Sequence, residues 1–189
     1  MRRLVETGPA LDDDALRSLR RAPSAADAPG PWVRAVFVSS ADGAAALKGV
    51  SGGLGSPADA RQFALAREDA DVVLVAAGTV RAEGYEGPLL SPDARARRAA
   101  AGLPDHPPVA VVTGSLGLDP DGEFLRRAPV RPWILTTEAA VAADPERAAA
   151  LAARADLLTA GRDAVDPDAL LTALTRRGVR VVHCEGGPR

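Results

Sequence analysis

Cysteine, lysine, histidine and aromatic residues are scarce in this sequence. Cys184 is the only cysteine. It has no partner for an intrachain disulfide, and a zinc site built on paired cysteines is excluded. His106 lies between Asp105 and Pro107, and His183 lies on the last apolar run. That spacing offers no metal site. No apolar run approaches the ~20 residues that span a bilayer. Residues 1–9 lack the apolar stretch of a signal peptide, so a cytoplasmic location is expected. Lys48 is the only lysine among 23 basic residues, and the formal net charge is −2. Both signs are interspersed without a basic stripe, so neither nucleic acid nor membrane is expected as a partner. The one dense basic cluster, Arg95, Arg97 and Arg98, reads as a solvated face. There is no Gly-x-Ser-x-Gly elbow, and Cys184 has no obvious activating base, so it reads as a small core residue.

What remains is an apolar fraction of 47% in 189 residues. That describes one globular domain, and a chain of this size buries roughly 70% of its unfolded surface. Residues 1–31 read as an N-terminal arm. Within it, Leu11 to Arg21 suits a short helix, and Ala22 to Pro31 reads as a linker. The apolar runs Trp32 to Ser39, Val72 to Ala76, Val109 to Thr113, Val130 to Thr136, Leu157 to Thr159 and Val179 to Cys184 read as strands. They lack polar alternation, which marks strands buried on both faces. Ser56-Pro57, Asp144-Pro145 and Asp166-Pro167 each pair a capping side chain with a first-turn proline, so each opens a helix. The third of these helices ends at Arg177, with Gly178 as its stop. A further short helix follows Ala77-Gly78-Thr79, and residues 84–108 read as an excursion. Strands alternating with helices predict an α/β fold with a mostly parallel sheet and helices on both faces. The last run leads into a Gly-Gly turn at residues 186–187, after which a further helix is expected.

Sheets of this class bind ligands beyond the carboxyl ends of their strands. Four such ends draw attention: Ser39 to Gly43, Gly78 to Glu83, Thr113 to Ser115, and Glu185 to Gly187. Gly78-Thr79-Val80-Arg81 suits either a phosphate cradle or an ordinary capped helix. Thr113-Gly114-Ser115 suits either a second phosphate or a plain turn. Gly186 and Gly187 would let a backbone approach a ligand closely. Glu185, a carboxylate at the end of a buried strand, needs a partner. Asp42 sits in a tight Ser-Ser-Ala-Asp-Gly turn. Gly53-Leu54-Gly55-Ser56-Pro57-Ala58 fits G-x-G-x-x-A, but no strand immediately precedes it, so it is not read as a dinucleotide fingerprint.

The strings VSSADG, GSPADARQF, ADVVLVAAGTVRAE and VVHCEGGP stand in this order between residues 32 and 188. Together they resemble the pyrimidine-reductase domain of bacterial riboflavin biosynthesis proteins. The resemblance implies a dihydrofolate-reductase-like fold over residues 32–189, with the family's last strands beyond Arg189. It implies NADPH as cofactor and reduction of a ribosylaminopyrimidine phosphate to its ribityl form, by hydride transfer to C1 of the ribose. It also implies a homodimer. Carried over position by position, it puts Val38, Gly53, Thr79, Glu83, Thr113, Ser115, Gly186 and Gly187 at the cofactor. Ser51, Arg67 and Glu185 fall on the substrate side, and the catalytic residues that it implies are Asp42 and Glu185. Two departures are visible. Residues 84–94 contain no arginine where family members hold the substrate phosphate, and Val36 stands where they tend to have lysine. They leave open a dihydrofolate- or other pteridine-type reductase, and a non-catalytic nucleotide-binding module.

Overall fold

The computed structural model describes residues 10–20, 22, 30–45, 47 and 52–186. Six strands form one sheet: β1 (Trp32–Ala35), β2 (Val72–Ala76), β3 (Val109–Val112), β4 (Trp133–Thr136), β5 (Asp156–Thr159) and β6 (Val181–Cys184). Every pairing is parallel, and the order is β1-β6-β2-β3-β4-β5. The helices are α1 (Asp13–Leu19), α2 (Pro57–Glu68), α3 (Ala77–Glu83), α4 (Pro92–Ala100), α5 (Glu123–Arg126), α6 (Glu138–Ala143), α7 (Pro145–Arg154) and α8 (Pro167–Arg176).

Two cores flank the sheet. On one face Val73, Val75, Val109, Val111 and Ile134 pack with Val80 of α3, Phe124 of α5 and Leu151 of α7. On the other, Val72, Ala110, Leu135 and Val182 pack with Leu170 and Leu174 of α8. The chain steps outward from β2 to β5 over the first face and returns to β6 under α8. A chain that reverses direction along a parallel sheet must change face if its crossovers are to keep one hand. The return places β6 between β1 and β2, so the carboxyl ends of β6, β2 and β3 stand side by side.

The cap-plus-proline devices act as expected. Ser56 accepts from Asp59 N at 3.2 Å, and Asp144 and Asp166 cap α7 and α8. Several expectations are corrected. The first strand ends at Ala35 instead of Ser39, and β4 and β6 begin at Trp133 and Val181. The excursion at 84–108 contains α4, capped by Ser91 on Ala94 N with Pro92 at its start. Two short helices, α5 and α6, were not expected. The arginines of α4 are not a uniform solvated face. Arg98 is 2% exposed and donates to the carbonyls of Glu68, Ala70 and Pro104. Arg97 pairs with the buried carboxylate of Glu68. A guanidinium has five donors, and carbonyls turned inward at the corner between α2 and β2 need them.

Within the expected arm, α1 packs on α2. Leu16 is buried, Arg17 reaches Glu68 at 3.3 Å, and Arg61 pairs with Asp13 at 2.6 Å.

Candidate functional site

Glu185 follows β6, and its amide donates to Leu74 O at 2.8 Å, which ties it to β2. Its side chain is 1% exposed. Arg67, one position before the end of α2, meets it bidentately, with Nε to Oε1 at 2.6 Å and Nη2 to Oε2 at 2.7 Å. Tyr85 donates its hydroxyl to Oε2 at 2.7 Å. His183 Nε2 lies 3.1 Å from Oε1, and among the described residues neither ring nitrogen has a well-formed hydrogen bond. Phe63 stacks on the Arg67 guanidinium at 4.6 Å and meets the His183 ring edge-on at 5.4 Å. The Tyr85 ring covers the guanidinium at 5.6 Å.

These contacts set the charges. Burial alone would raise the Glu185 pKa. The Arg67 hydrogen bonds, the His183 contact, the Arg67 charge and the Tyr85 hydroxyl outweigh burial and hold it down at about 2. Burial, then the Glu185 charge, pushes Tyr85 upward, so it remains a neutral donor. For Arg67 burial lowers the pKa, but its bonds to Glu185 raise it further, so it stays charged.

A second cluster lies at the end of β3. Thr113 is buried, and its Oγ1 accepts from Gly117 N at 3.2 Å. Leu116 adopts φ 51°, an uncommon conformation for a side chain of this size, and is fully buried. Arg81 of α3 donates to Gly117 O at 2.6 Å, while Arg147 of α7 donates to Leu116 O and Leu118 O at 2.8 Å each. Two guanidinium groups thus hold the loop carbonyls and turn Gly114 and Ser115 outward, where both are exposed.

The other expected residues fall as follows. Thr79 is half-buried in the first turn of α3. It is not the cap, because the N-cap is Ala76 and no side chain caps this helix. Glu83 is exposed at the end of α3. Gly186 is half-buried beyond β6, and among the described residues a Cβ there would meet Cys184 Sγ, at 3.6 Å, an ordinary contact. Val38 is half-buried past β1. Gly53 is exposed in a 3-10 turn, where a Cβ would press on Leu47 at 3.2 Å. Asp42 is fully exposed and accepts from the Ser40 hydroxyl, which lowers its pKa. Ser51 and Gly187 lie outside the described residues.

Arg67 and Glu185 are therefore in direct contact, and α3 is tied to the β3 loop through Arg81. Among the described residues, Asp42, Val38 and Gly53 make no hydrogen bond to either cluster. Tyr85, Phe63 and the contact of His183 with Glu185 escaped sequence reasoning, whereas Arg81 was singled out with Thr79. Tyr85, the only tyrosine, sits in a polar stretch where a buried aromatic has no periodic pattern to announce it. A narrow cleft lined by Tyr85, Leu89, His106, Val109 and Phe124 opens at the amino end of β3. It shares only Tyr85 with the site.

Residues 31–189 match the family described as the RibD C-terminal domain. Among solved structures, a pyrimidine reductase-like protein of Corynebacterium diphtheriae is 27% identical at a TM-score of 0.72, over 84% of this chain and 66% of its own. The riboflavin biosynthesis reductase Rib7 of Saccharomyces cerevisiae shares the fold at 17% identity and a TM-score of 0.60, over 90% of this chain and 68% of its own. A Thermotoga maritima diaminohydroxyphosphoribosylaminopyrimidine deaminase/5-amino-6-(5-phosphoribosylamino)uracil reductase does so at 19% and 0.56, over 84% of this chain and 39% of its own. No protein of curated function matches the chain. The chain thus spans about two thirds of the length of the first two structures.

Proposed function

Because the chain belongs to the RibD C-terminal domain family of riboflavin-pathway reductases, we propose that it is an NADPH-dependent reductase acting on 5-amino-6-(5-phosphoribosylamino)uracil and yielding the ribitylamino form. The carrying observation is the side-by-side placement of the ends of β6, β2 and β3. It sets the Arg67–Glu185 pair and the Arg81–Gly117 loop along one edge of the sheet. Open α/β sheets take their ligands there.

The residues present fit a phosphorylated dinucleotide. Exposed Ser115 and Arg81 offer a hydroxyl and a cation to the adenosine phosphate, beside the outward-turned Gly114. Thr113 shapes that loop from beneath through its hydroxyl. Thr79 and Glu83 lie on α3, and the backbone at Gly186 passes under the pyrophosphate. When bound, the reduced nicotinamide supplies the hydride. The chain's share is orientation and charge. Val38 and Gly53 border the nicotinamide side. Arg67 meets the negative charge of the substrate. Asp42 shapes the turn that closes the pocket beside β1, through its bond from Ser40. Holding donor and acceptor in reacting geometry is a large part of what such a site contributes.

We further infer a homodimer working in the cytoplasm on a free small molecule. A pteridine-type reductase is a second reading, favoured by the absence of arginine from residues 84–94. The test is titration with NADPH, followed by cofactor oxidation with the ribosylaminopyrimidine phosphate and with dihydrofolate. Binding with turnover of the first substrate supports the proposal. Turnover of dihydrofolate alone selects the second reading. NADPH binding without turnover of either points to a non-catalytic nucleotide-binding module, and absence of NADPH binding overturns the reductase reading.

A further inference from the structure

We propose that α1 is a strap that lifts off α2 without unfolding of the sheet, and that its docking sets the position of Phe63 and Arg67 at the candidate site. Only its effect on turnover rests on the reading above.

Successive residues of an α-helix are turned by about 100°, so positions four and seven apart share a face. Phe63 and Arg67 are four apart, and both reach the site. Arg67 meets Glu185, while Phe63 packs on the Arg67 guanidinium and on the ring of His183. Arg61, Leu65 and Glu68 follow the same spacing on the far side of α2. There α1 docks. Asp13 pairs with Arg61 at 2.6 Å, Arg17 reaches Glu68 at 3.3 Å, and Leu65 is buried. At the end of α1, Arg20 donates to Gln62, and its carbonyl accepts from Arg34 of β1 at 3.3 Å. One side of α2 thus answers to α1 and the other to the candidate site.

The strap is weakly held. A helix of seven residues does not persist by itself. Leu16 is the one buried residue of α1, and Leu19 is 53% exposed. Asp13 and Arg61 are each half-exposed, and a pair of that kind adds little and weakens in salt. Docking also encloses Nε of Arg17 and both Nε and Nη2 of Arg20 without a partner among the described residues. Water would satisfy them once α1 lifts, so the docked state carries a cost that the lifted state does not. The strands, by contrast, are held between two extended apolar cores. Segments with few buried apolar contacts open at a lower free energy than such a core. The helix also lies outside residues 31–189, which match the family.

With α1 docked, α2 is braced from behind, and Phe63 and Arg67 are set before any ligand arrives. With α1 lifted, Glu68 keeps Arg97 of α4 but loses Arg17, and the end of α2 gains freedom. Only the docked fraction then presents the site in full, and apparent affinity falls by that fraction. The coupling is reciprocal, so a ligand that needs α2 in place protects α1. His183 reports the position of α2 without any ligand. Its ring is fully buried and lies edge-on to Phe63 at 5.4 Å, within the ring current of that side chain.

The experiment follows amide exchange and the His183 ring protons of the full chain by NMR, beside turnover of the ribosylaminopyrimidine phosphate. The amides of Leu16 to Leu19 are expected to exchange at least about tenfold faster than those of β2 and β3. Raising salt from about 0.05 to about 0.5 M should speed them about threefold. Leu16→Ala should speed them about thirtyfold, as loss of a buried leucine side chain requires. It should also shift the His183 ring resonances and raise KM severalfold while kcat stays within about twofold. Leu16→Met should behave as the parent does. If Leu16→Ala does not fold, Asp13→Asn and the salt series on the parent decide, by exchange and by the His183 resonances. Exchange of the α1 amides no faster than those of β2 and β3 would make α1 part of the core and overturn the proposal. Fast exchange in Leu16→Ala with the His183 resonances unmoved would overturn it too, since α2 would then keep its place without the strap. The expected exchange and His183 shifts with no reduction of any substrate would uphold the strap while removing the reductase reading.

Discussion

Glu185 keeps its charge far below the pH at which a free glutamate loses it, held at about 2 against an ordinary 4.5. A carboxylate whose folded pKa is depressed adds stability in full above the unfolded value and loses it as pH falls toward the folded one. The parent protein should therefore lose stability between about pH 4.5 and 2. Glu185→Gln should be less stable at neutral pH and flatter across that window. Urea midpoints at a series of pH values test this, and equal slopes for both proteins would remove Glu185 from acid unfolding. Thr79 belongs to the same scale. Thr79→Ala should weaken NADPH about tenfold, the usual cost of one hydrogen bond to a charged group. Unchanged affinity by fluorescence titration would count against its place at the cofactor.

At the scale of elements, α4 shows what local signals can and cannot do. Ser91-Pro92 repeats the device of Ser56-Pro57, Asp144-Pro145 and Asp166-Pro167, and it opens a helix in all four places. The signal was legible, but the surrounding arginines and prolines read as a loop. The burial of Arg98 was not legible, because it depends on three carbonyls that arrive from Glu68, Ala70 and Pro104. Arg98→Met keeps the bulk and strands those carbonyls. It should cost about 3 kcal/mol, since each unpaired buried acceptor costs roughly 1–3 kcal/mol. Chemical denaturation measures it, and a loss below about 1 kcal/mol would mean that water replaces the guanidinium.

For the whole molecule, the relevant property is that the segments proposed to face the ligand follow β2, β3 and β6, separated by long stretches of chain. A cofactor lying across these ends binds only the folded state. NADPH at a hundredfold excess over its Kd should therefore stabilise the protein by about 2.7 kcal/mol. For a chain of this length that is a rise in Tm of several degrees, roughly 2–4 °C per kcal/mol. NADH, lacking the phosphate that Ser115 and Arg81 are proposed to meet, should give a smaller rise at equal concentration. Scanning calorimetry checks both, and equal shifts would remove the phosphate from recognition by these two residues.

The alternation of apolar runs with capped helices was enough, by itself, to determine an α/β sheet with buried parallel strands, since strand burial and helix capping are local properties of the chain. Short motifs were enough to mark the strand ends and to single out Arg67 and Glu185. Only the tertiary structure decided that these two residues satisfy each other. The bond joins the end of α2 to the end of β6, 118 residues apart, and it exists because β6 inserts beside β2. The placement of Tyr85 and His183 against Glu185 was decided in the same way. Each is a single side chain without a periodic pattern, and its meaning depends on the carboxylate that the fold brings next to it.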